Sequence, residues 1–390
     1  MKLLIKNANV ITPWEVLKEH SVLIENDKIK KIEENDNLDE NCCNKVIDAK
    51  GNYLSPGFID IHNHGNFGYD TMDASFEALD SMANFHLKNG VTGFLATTMT
   101  DSYEKIERAL KNTANYIDVQ NREKGSSQVL GIYLEGPYFS EEKKGAQPLE
   151  YIKNPNINEL GNFIDASRGH IKIVSIAPEL EGSFEIISYL KSNNINIAVG
   201  HTNSTFSKAK EAIDKGVTIT THLFNGMRGF SHREPGILGA VLIDDRVLCE
   251  IICDGIHLHT AAIKLAVKMK GTKGIILISD AMRAAGLEDG EYTLGGQKVF
   301  VKNNEAKLFD GTLAGSTLTL NKAVYNMVHK LNLPLKDAVV MASLNPAKAV
   351  GLSDQKGSIE IGKDGDLIIF DEKINVSTAI VNGKILYLKD

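Results

Sequence analysis

Six residues of the types that bind metal ions or move protons each follow a short apolar, β-branched run. His62 and His64 come after 57–61, Glu135 after 130–134, His201 after 197–200, His222 after 218–221 and Asp280 after 275–279. His62 and His64 are one residue apart, so on an extended segment both rings point the same way and can share an ion. Glu135 ends a run so apolar that burying its carboxylate without a partner would be costly. Each residue alone has an ordinary reading as a solvated loop histidine, a satisfied core imidazole or an ion-pair carboxylate. Six of them at matching strand-end positions point instead to a hydrolytic metal centre. Mixed imidazole and carboxylate ligation suits Zn, Fe(II), Mn or Co, with one or two ions per chain, and no cysteine stands at these positions to make a thiolate site. A bound divalent ion lowers the pKa of its water toward about 7. Asp280 can then accept the water proton and return it to a leaving group.

Residues so far apart in sequence can meet where strand C-termini converge on one face, as in a (β/α)8 barrel. Between residues 56 and 354, strand-like and helix-like segments alternate about eight times. Continuous apolar runs at 57–61, 91–98, 129–134, 171–177, 196–199, 217–221, 247–253 and 274–279 predict buried parallel strands. Segments such as 75–88, 103–119, 205–215 and 260–270 predict helices between them. Eight repeats favour a TIM barrel over a doubly wound sheet. The stretch 291–312 breaks the rhythm with turns at Gly295-Gly296, Asn303-Asn304 and Asp310-Gly311, and reads as an inserted β-hairpin region that overhangs the active face.

Both chain ends are β-rich. Short strands are expected over 2–11, 21–25, 28–32 and 45–47, and again over 357–362, 366–370, 378–381 and 384–388. Asn382-Gly383 between two apolar runs is a hairpin signal. The simplest reading of this α/β chain is a small β-sandwich made from 1–55 and 355–390 beside a catalytic barrel over 56–354, with separate terminal sheets as the alternative.

Composition narrows the function classes. With 390 residues and 43% hydrophobic content the chain can bury a large core. A net charge of -7 leaves no broad basic face for nucleic acid, so an anionic ligand must be met by a few local cations. The first twelve residues alternate apolar positions with Lys2 and Lys6, a strand pattern unlike a secretory h-region, and no run approaches transmembrane length. Cys42, Cys43, Cys249 and Cys253 form no CxxC pattern and read as reduced thiols. A cytoplasmic protein with neither nucleic-acid nor membrane partners is expected.

Several segments also carry a family resemblance. Pro56-Gly57-Phe58-Ile59-Asp60-Ile61-His62-Asn63-His64-Gly65, Leu134-Glu135-Gly136-Pro137, Gly200-His201-Thr202, Thr221-His222-Leu223-Phe224-Asn225, Asp254-Gly255-Ile256-His257 and Ser279-Asp280-Ala281-Met282 resemble the N-acetylglucosamine-6-phosphate deacetylases of the amidohydrolase superfamily. Asn345-Pro346-Ala347 and the segment from Gly357 to Leu367 mark the superfamily, while Leu-Glu-Gly-Pro with Arg233-Glu234-Pro235-Gly236 is narrower. The resemblance implies metal-dependent deacetylation of N-acetyl-D-glucosamine 6-phosphate to D-glucosamine 6-phosphate and acetate, in amino-sugar catabolism or cell-wall recycling. It implies that Glu135, His201 and His222 bind the main metal, that His62 and His64 hold a second ion, and that Asp280 is the catalytic acid-base. It further implies that Asn225, the backbone at Gly226, Arg233 and His257 handle the sugar phosphate, in a homodimer able to contribute a residue across its interface. Leu313, Ala314 and Gly315 would line the acetyl group.

Gln147 stands where some relatives have a histidine that contacts the sugar, and an amide can still hydrogen-bond hydroxyls. Gly226 replaces a common alanine but keeps its backbone donor. By its own chemistry Arg233 offers a planar fork for phosphate oxygens in an otherwise acidic chain, the alternative being a solvent-exposed arginine. His257 reads as a phosphate donor, a hydroxyl partner or a loop residue. Two rival functions are an amidohydrolase acting on another N-acetylated amino-sugar phosphate or ring amide, and a non-catalytic sugar-phosphate-binding protein on the same scaffold.

Overall fold

In the computed structural model, which describes residues 1–35, 37–38, 40–120 and 126–389, the apolar runs of the middle segment become eight parallel strands. They are β1 (Phe58–Asn63), β2 (Val91–Thr97), β3 (Gln128–Glu135), β4 (Ile171–Ile176), β5 (Asn196–Val199), β6 (Ile219–Thr220), β7 (Leu248–Ile252) and β8 (Ile275–Ile278), each hydrogen-bonded to the next in chain order. Nearly all their residues are buried, which explains continuous apolar runs in place of a two-residue alternation. Helices α1 (Phe76–Lys88), α2 (Tyr103–Val119), α3 (Ile157–Ala166), α4 (Ser183–Ser192), α5 (Phe206–Lys215), α6 (Gly236–Ile243), α7 (Thr260–Lys270) and α8 (Leu320–His329) follow the strands and complete the expected (β/α)8 barrel. In α1, Ser75 caps the start by accepting from Ala78 N at 3.1 Å. Ala78, Leu79, Met82, Ala83 and Leu87 then form a buried face at three- and four-residue spacing.

Among the described residues no backbone ladder joins β8 to β1, and side-chain bonds with isolated backbone bonds close that seam. Ser279 Oγ donates to Asp60 Oδ2 at 2.6 Å, Ser279 N donates to Asp60 Oδ1 at 3.2 Å, and Asp280 N donates to His62 O at 2.9 Å. Burial pushes the Asp60 carboxyl up to about 6, while the hydrogen bonds from Ser279 and His62 pull the other way. The seam therefore ties the first and last strands together directly beneath His62 and Asp280.

The chain ends form one eight-stranded sheet. Tyr53–Pro56 is its join: it pairs antiparallel with Leu367–Phe370 and parallel with Asn9 and Val10 of the strand Lys2–Ile11. Separate terminal sheets are thereby excluded. Leu3, Ile5, Val22 and Ile24 from one end of the sheet and Leu367, Ile369 and Ile380 from the other share a second core, distinct from that of the barrel. Residues 357–362, expected as a strand, form none. Gly357 has φ +88° and sits against Ser343, Leu344 and Ala347, so the chain there follows the barrel's last helices and makes no ladder. The insertion is a three-stranded antiparallel sheet of Gly290–Leu294, Gln297–Lys302 and Glu305–Lys307, one strand more than the expected hairpin.

Candidate metal centre

The barrel brings all six ligand-type residues to one end. His62 lies in β1 and His64 just beyond it, Glu135 ends β3, and His201, His222 and Asp280 each fall two residues past β5, β6 and β8. These last three share an unusual backbone, with φ of 45°, 29° and 47°. Positive φ is uncommon outside glycine and persists where surroundings impose it. The imposing bonds are visible: Ser140 N donates to His201 O at 2.9 Å, His222 N donates to Glu250 Oε2 at 3.1 Å, and Ser316 N donates to Asp280 O at 2.8 Å.

Two overlapping clusters result, Glu135 with His201 and His222, and His62 with His64 and Asp280, all buried. His201 Nδ1 is 2.9 Å from Lys143 O and His222 Nδ1 is 3.1 Å from Asn225 O. A carbonyl only accepts, so each Nδ1 carries a proton, which leaves Nε2 as the ring atom able to present a lone pair to a cation. Those lone pairs converge: the two Nε2 atoms are 3.1 Å apart, and lie 3.2 Å (His222) and 3.4 Å (His201) from Glu135 Oε1. Three electron-pair donors this close in a dry interior repel one another unless a cation stands among them. The donor set therefore fits a divalent ion.

The second cluster abuts Glu135. His64 Nε2 is 3.3 Å from Glu135 Oε2 and 3.4 Å from Asp280 Oδ1, while His62 Nε2 is 3.5 Å from both Glu135 Oε1 and Asp280 Oδ1. Left without a cation, the cluster would draw protons. Burial disfavours a charged His62, yet the fields of Glu250, Asp280 and Glu135 outweigh it and raise the ring to about 9. Burial likewise opposes ionisation of Asp280 and Glu135, but the neighbouring imidazoles hold Asp280 down at about 2 and Glu135 well below the usual carboxylate range. The pocket is built for positive charge of one kind or another.

Glu250, in β7, was not singled out from the sequence. Its Oε2 accepts from His62 Nδ1 at 3.0 Å and from His222 N at 3.1 Å, so it touches both clusters. The available signal was the one that exposed Glu135, a solitary carboxylate in an apolar run.

Above the clusters lies a cavity of about 210 Å³ lined in part by His64, Glu135, His201, His222 and Asp280. Gln147, Asn225, Gly226, His257, Leu313 and Gly315 also line it, as expected from the sequence. The insertion contributes Leu294 and the segment after it Thr312, so this part of the chain does overhang the mouth. A larger recess of about 380 Å³ beside Phe76 and Tyr116 holds none of these histidines. Gln147 is committed: its Nε2 donates to Glu135 Oε2 at 2.8 Å and its Oε1 accepts from Thr100 N at 3.1 Å. His257 Nδ1 pairs with Asp254 Oδ2 at 2.7 Å, which leaves Nε2 as its remaining polar ring atom. Burial raises the Asp254 carboxyl, but the bond and charge of His257 together with the backbone N–H groups of Ile256 and His257 outweigh it and lower it on balance. Gly226 has φ +60°, and a Cβ there would stand 2.9 Å from His201 Nδ1, so an alanine would press on a ligand ring.

Two expected positions fall elsewhere. Ala314 is fully buried in the apolar cluster of Met282, Val299 and Leu294, because its backbone N donates to Ala306 O and turns the residue into the inserted sheet. Arg233 is exposed and does not line the cavity. Its neighbour Glu234 accepts from Phe206 N at 2.8 Å and Gly236 N at 3.0 Å, which anchors this loop to the start of α5.

Comparison with known proteins agrees with this geometry. Residues 53–386 match the amidohydrolase family. An N-acetylglucosamine-6-phosphate deacetylase of Bacillus subtilis (strain 168) is 40% identical over 386 residues, covering 99% of this chain and 97% of the relative. An N-acetylgalactosamine-6-phosphate deacetylase of Escherichia coli O157:H7 is 39% identical over 342 residues, covering 87% of this chain and 89% of the relative. A solved mutant N-acetyl-D-glucosamine-6-phosphate deacetylase from Mycobacterium smegmatis, in complex with N-acetyl-D-glucosamine-6-phosphate, matches with a TM-score of 0.92 and 30% identity, covering 99% of each chain. The chain belongs to the amidohydrolase family, as a member of its N-acetylglucosamine-6-phosphate deacetylase group.

Proposed function

We propose that the chain hydrolyses the acetamide of N-acetyl-D-glucosamine 6-phosphate, giving D-glucosamine 6-phosphate and acetate in amino-sugar catabolism or cell-wall recycling. The observation that carries this reading is the convergence of Glu135, His201 and His222 opposite Asp280 at the floor of one cavity. When bound there, a divalent cation supplies Lewis acidity and makes water readily deprotonated. Asp280 would take a proton from the attacking water through its carboxylate oxygen as the water oxygen bonds to the acetamide carbonyl carbon, and would deliver that proton to the amide nitrogen as the C–N bond breaks, leaving acetate and the free amine. Leu313 and Gly315 flank the acetyl group, and Leu294 with Leu313 keeps bulk water out. His257 and Asn225, with the backbone N–H of Gly226, orient the sugar and its phosphate through hydrogen bonds.

We further propose a cytoplasmic homodimer. The free thiols of the buried Cys249 and Cys253 suit a reducing compartment, and no helix among the described residues is long and apolar enough to cross a membrane. The exposure of Arg233 on its loop, with Phe230 63% exposed nearby in sequence, supports a role toward a neighbouring copy. A second reading, the 4-epimeric N-acetylgalactosamine 6-phosphate as substrate, is favoured by the galactosamine relative at 39% identity.

The test is acetate release from the two 6-phosphate sugars after metal stripping and re-addition of single ions. Turnover restored by a divalent ion on the gluco epimer is expected. Tight sugar-phosphate binding without acetate from any loaded form would overturn the proposal, and preference for the galacto epimer would move it to the second reading.

A further inference from the structure

Glu250 is a fully buried carboxylate in β7, between Cys249 and Ile251, which are themselves fully buried. Such a charge is costly unless something nearby requires it. Its Oε2 carries both hydrogen bonds, from His62 Nδ1 and His222 N, and Oε1 has no hydrogen-bond partner among the described residues. The four imidazoles of the centre are anchored differently. His201 and His222 donate from Nδ1 to neutral backbone carbonyls, and His64 Nδ1 has no hydrogen-bond partner among the described residues. Only His62 donates from Nδ1 to a carboxylate. That acceptor fixes the tautomer, turns Nε2 toward Glu135 and Asp280, and makes the ring a richer electron donor. With Glu135 and Asp280, Glu250 makes three buried carboxylates around the imidazoles, more charge than one divalent cation neutralises.

Resting on the metal-dependent reading above, we infer that Glu250 is a positioning residue that makes His62 a ligand and sets the affinity of the His62, His64 and Asp280 cluster for a second divalent ion. Because one oxygen holds both bonds, Glu250→Gln keeps them through its amide oxygen while removing the charge. Metal-stripped wild type and Glu250→Gln, each titrated with Co(II) and followed by calorimetry and visible absorption, provide the test. Wild type should take up two ions. The variant should bind the first with wild-type affinity and the second roughly 10- to 100-fold more weakly.

A single ion in wild type, an unchanged second ion in the variant, or equal weakening of both would overturn the inference, since a merely structural role would move both ions together. Should the variant misfold, long-range proton–nitrogen spectra of loaded wild type labelled at histidine give a separate answer: His62 must be protonated at Nδ1 and coordinated at Nε2, and the opposite tautomer sinks the inference. Acetate release by wild type is scored apart. Its failure with two ions bound refutes the deacetylase reading and leaves the role of Glu250 standing.

Discussion

Replacing Asp280 by asparagine tests proton transfer at the site while leaving the Glu135, His201 and His222 cluster intact. The backbone there is held without the side chain, by Asp280 N donating to His62 O at 2.9 Å and Ser316 N donating to Asp280 O at 2.8 Å. Its φ of 47° lies in the left-handed region, which asparagine tolerates better than most residues, so the fold should be unaffected. Asp280 is outside the Glu135, His201 and His222 cluster, so an ion held there should be retained. What disappears is a carboxylate that can take a proton, 3.4 Å from His64 Nε2 and 3.5 Å from His62 Nε2. General acid–base catalysis contributes about 10²- to 10⁴-fold, roughly 2.7 to 5.4 kcal/mol of barrier at about 1.36 kcal/mol per decade. The assay is acetate release at saturating substrate, with metal content measured on the same samples. The expected result is a kcat lower by two to four decades, a KM within a few-fold of wild type, and no recovery with excess metal. A kcat within about fivefold of wild type at equal metal content would refute the assignment, and recovery with excess metal would show that Asp280 acts only as a ligand.

Three further outcomes follow from the geometry. His62 is raised from its ordinary 6.5 to about 9, so the stability it lends the stripped protein is complete below pH 6.5 and lost as pH rises through 9. Stripped protein should therefore melt lower at pH 9.5 than at pH 6.5, and added cation should close the gap. Equal melting at both pH values without metal would contradict this. Gln147→Leu strands Thr100 N and removes a donor from Glu135 Oε2; a loss of about 1 to 3 kcal/mol in denaturant unfolding is expected, and an unaltered midpoint would count against it. Arg233→Ala should raise KM for the phosphorylated sugar by the equivalent of about 1.5 to 3 kcal/mol and leave the unphosphorylated sugar unaffected. An unchanged KM would remove Arg233 from the site.

The ligand-type residues were legible because barrel strands are buried on both faces. Against β-branched apolar runs, a histidine or carboxylate at the strand end stands out, and His62, His64, Glu135, His201, His222 and Asp280 all did. Asp60 and Glu250 lie in the same kind of run but were not legible as functional. Their partners, Ser279 across the seam and His62 two strands away around the barrel, are neighbours only after closure. Residues 357–362 alternate like a strand, yet contact with the last helices overrides the local pattern.

Periodicity and residue type alone determined the eight βα units, the β-rich ends and the chemistry of a mixed imidazole and carboxylate site, since these depend on local backbone preference and side-chain chemistry. Folding decided the rest: the tautomers set by Lys143 O and Asn225 O, the left-handed turns at His201, His222 and Asp280, the burial of Ala314 and the exclusion of Arg233 from the cavity. Each of these depends on which atoms come within about 3 Å of one another, and in a barrel that distance is fixed by strand closure between residues up to 219 positions apart.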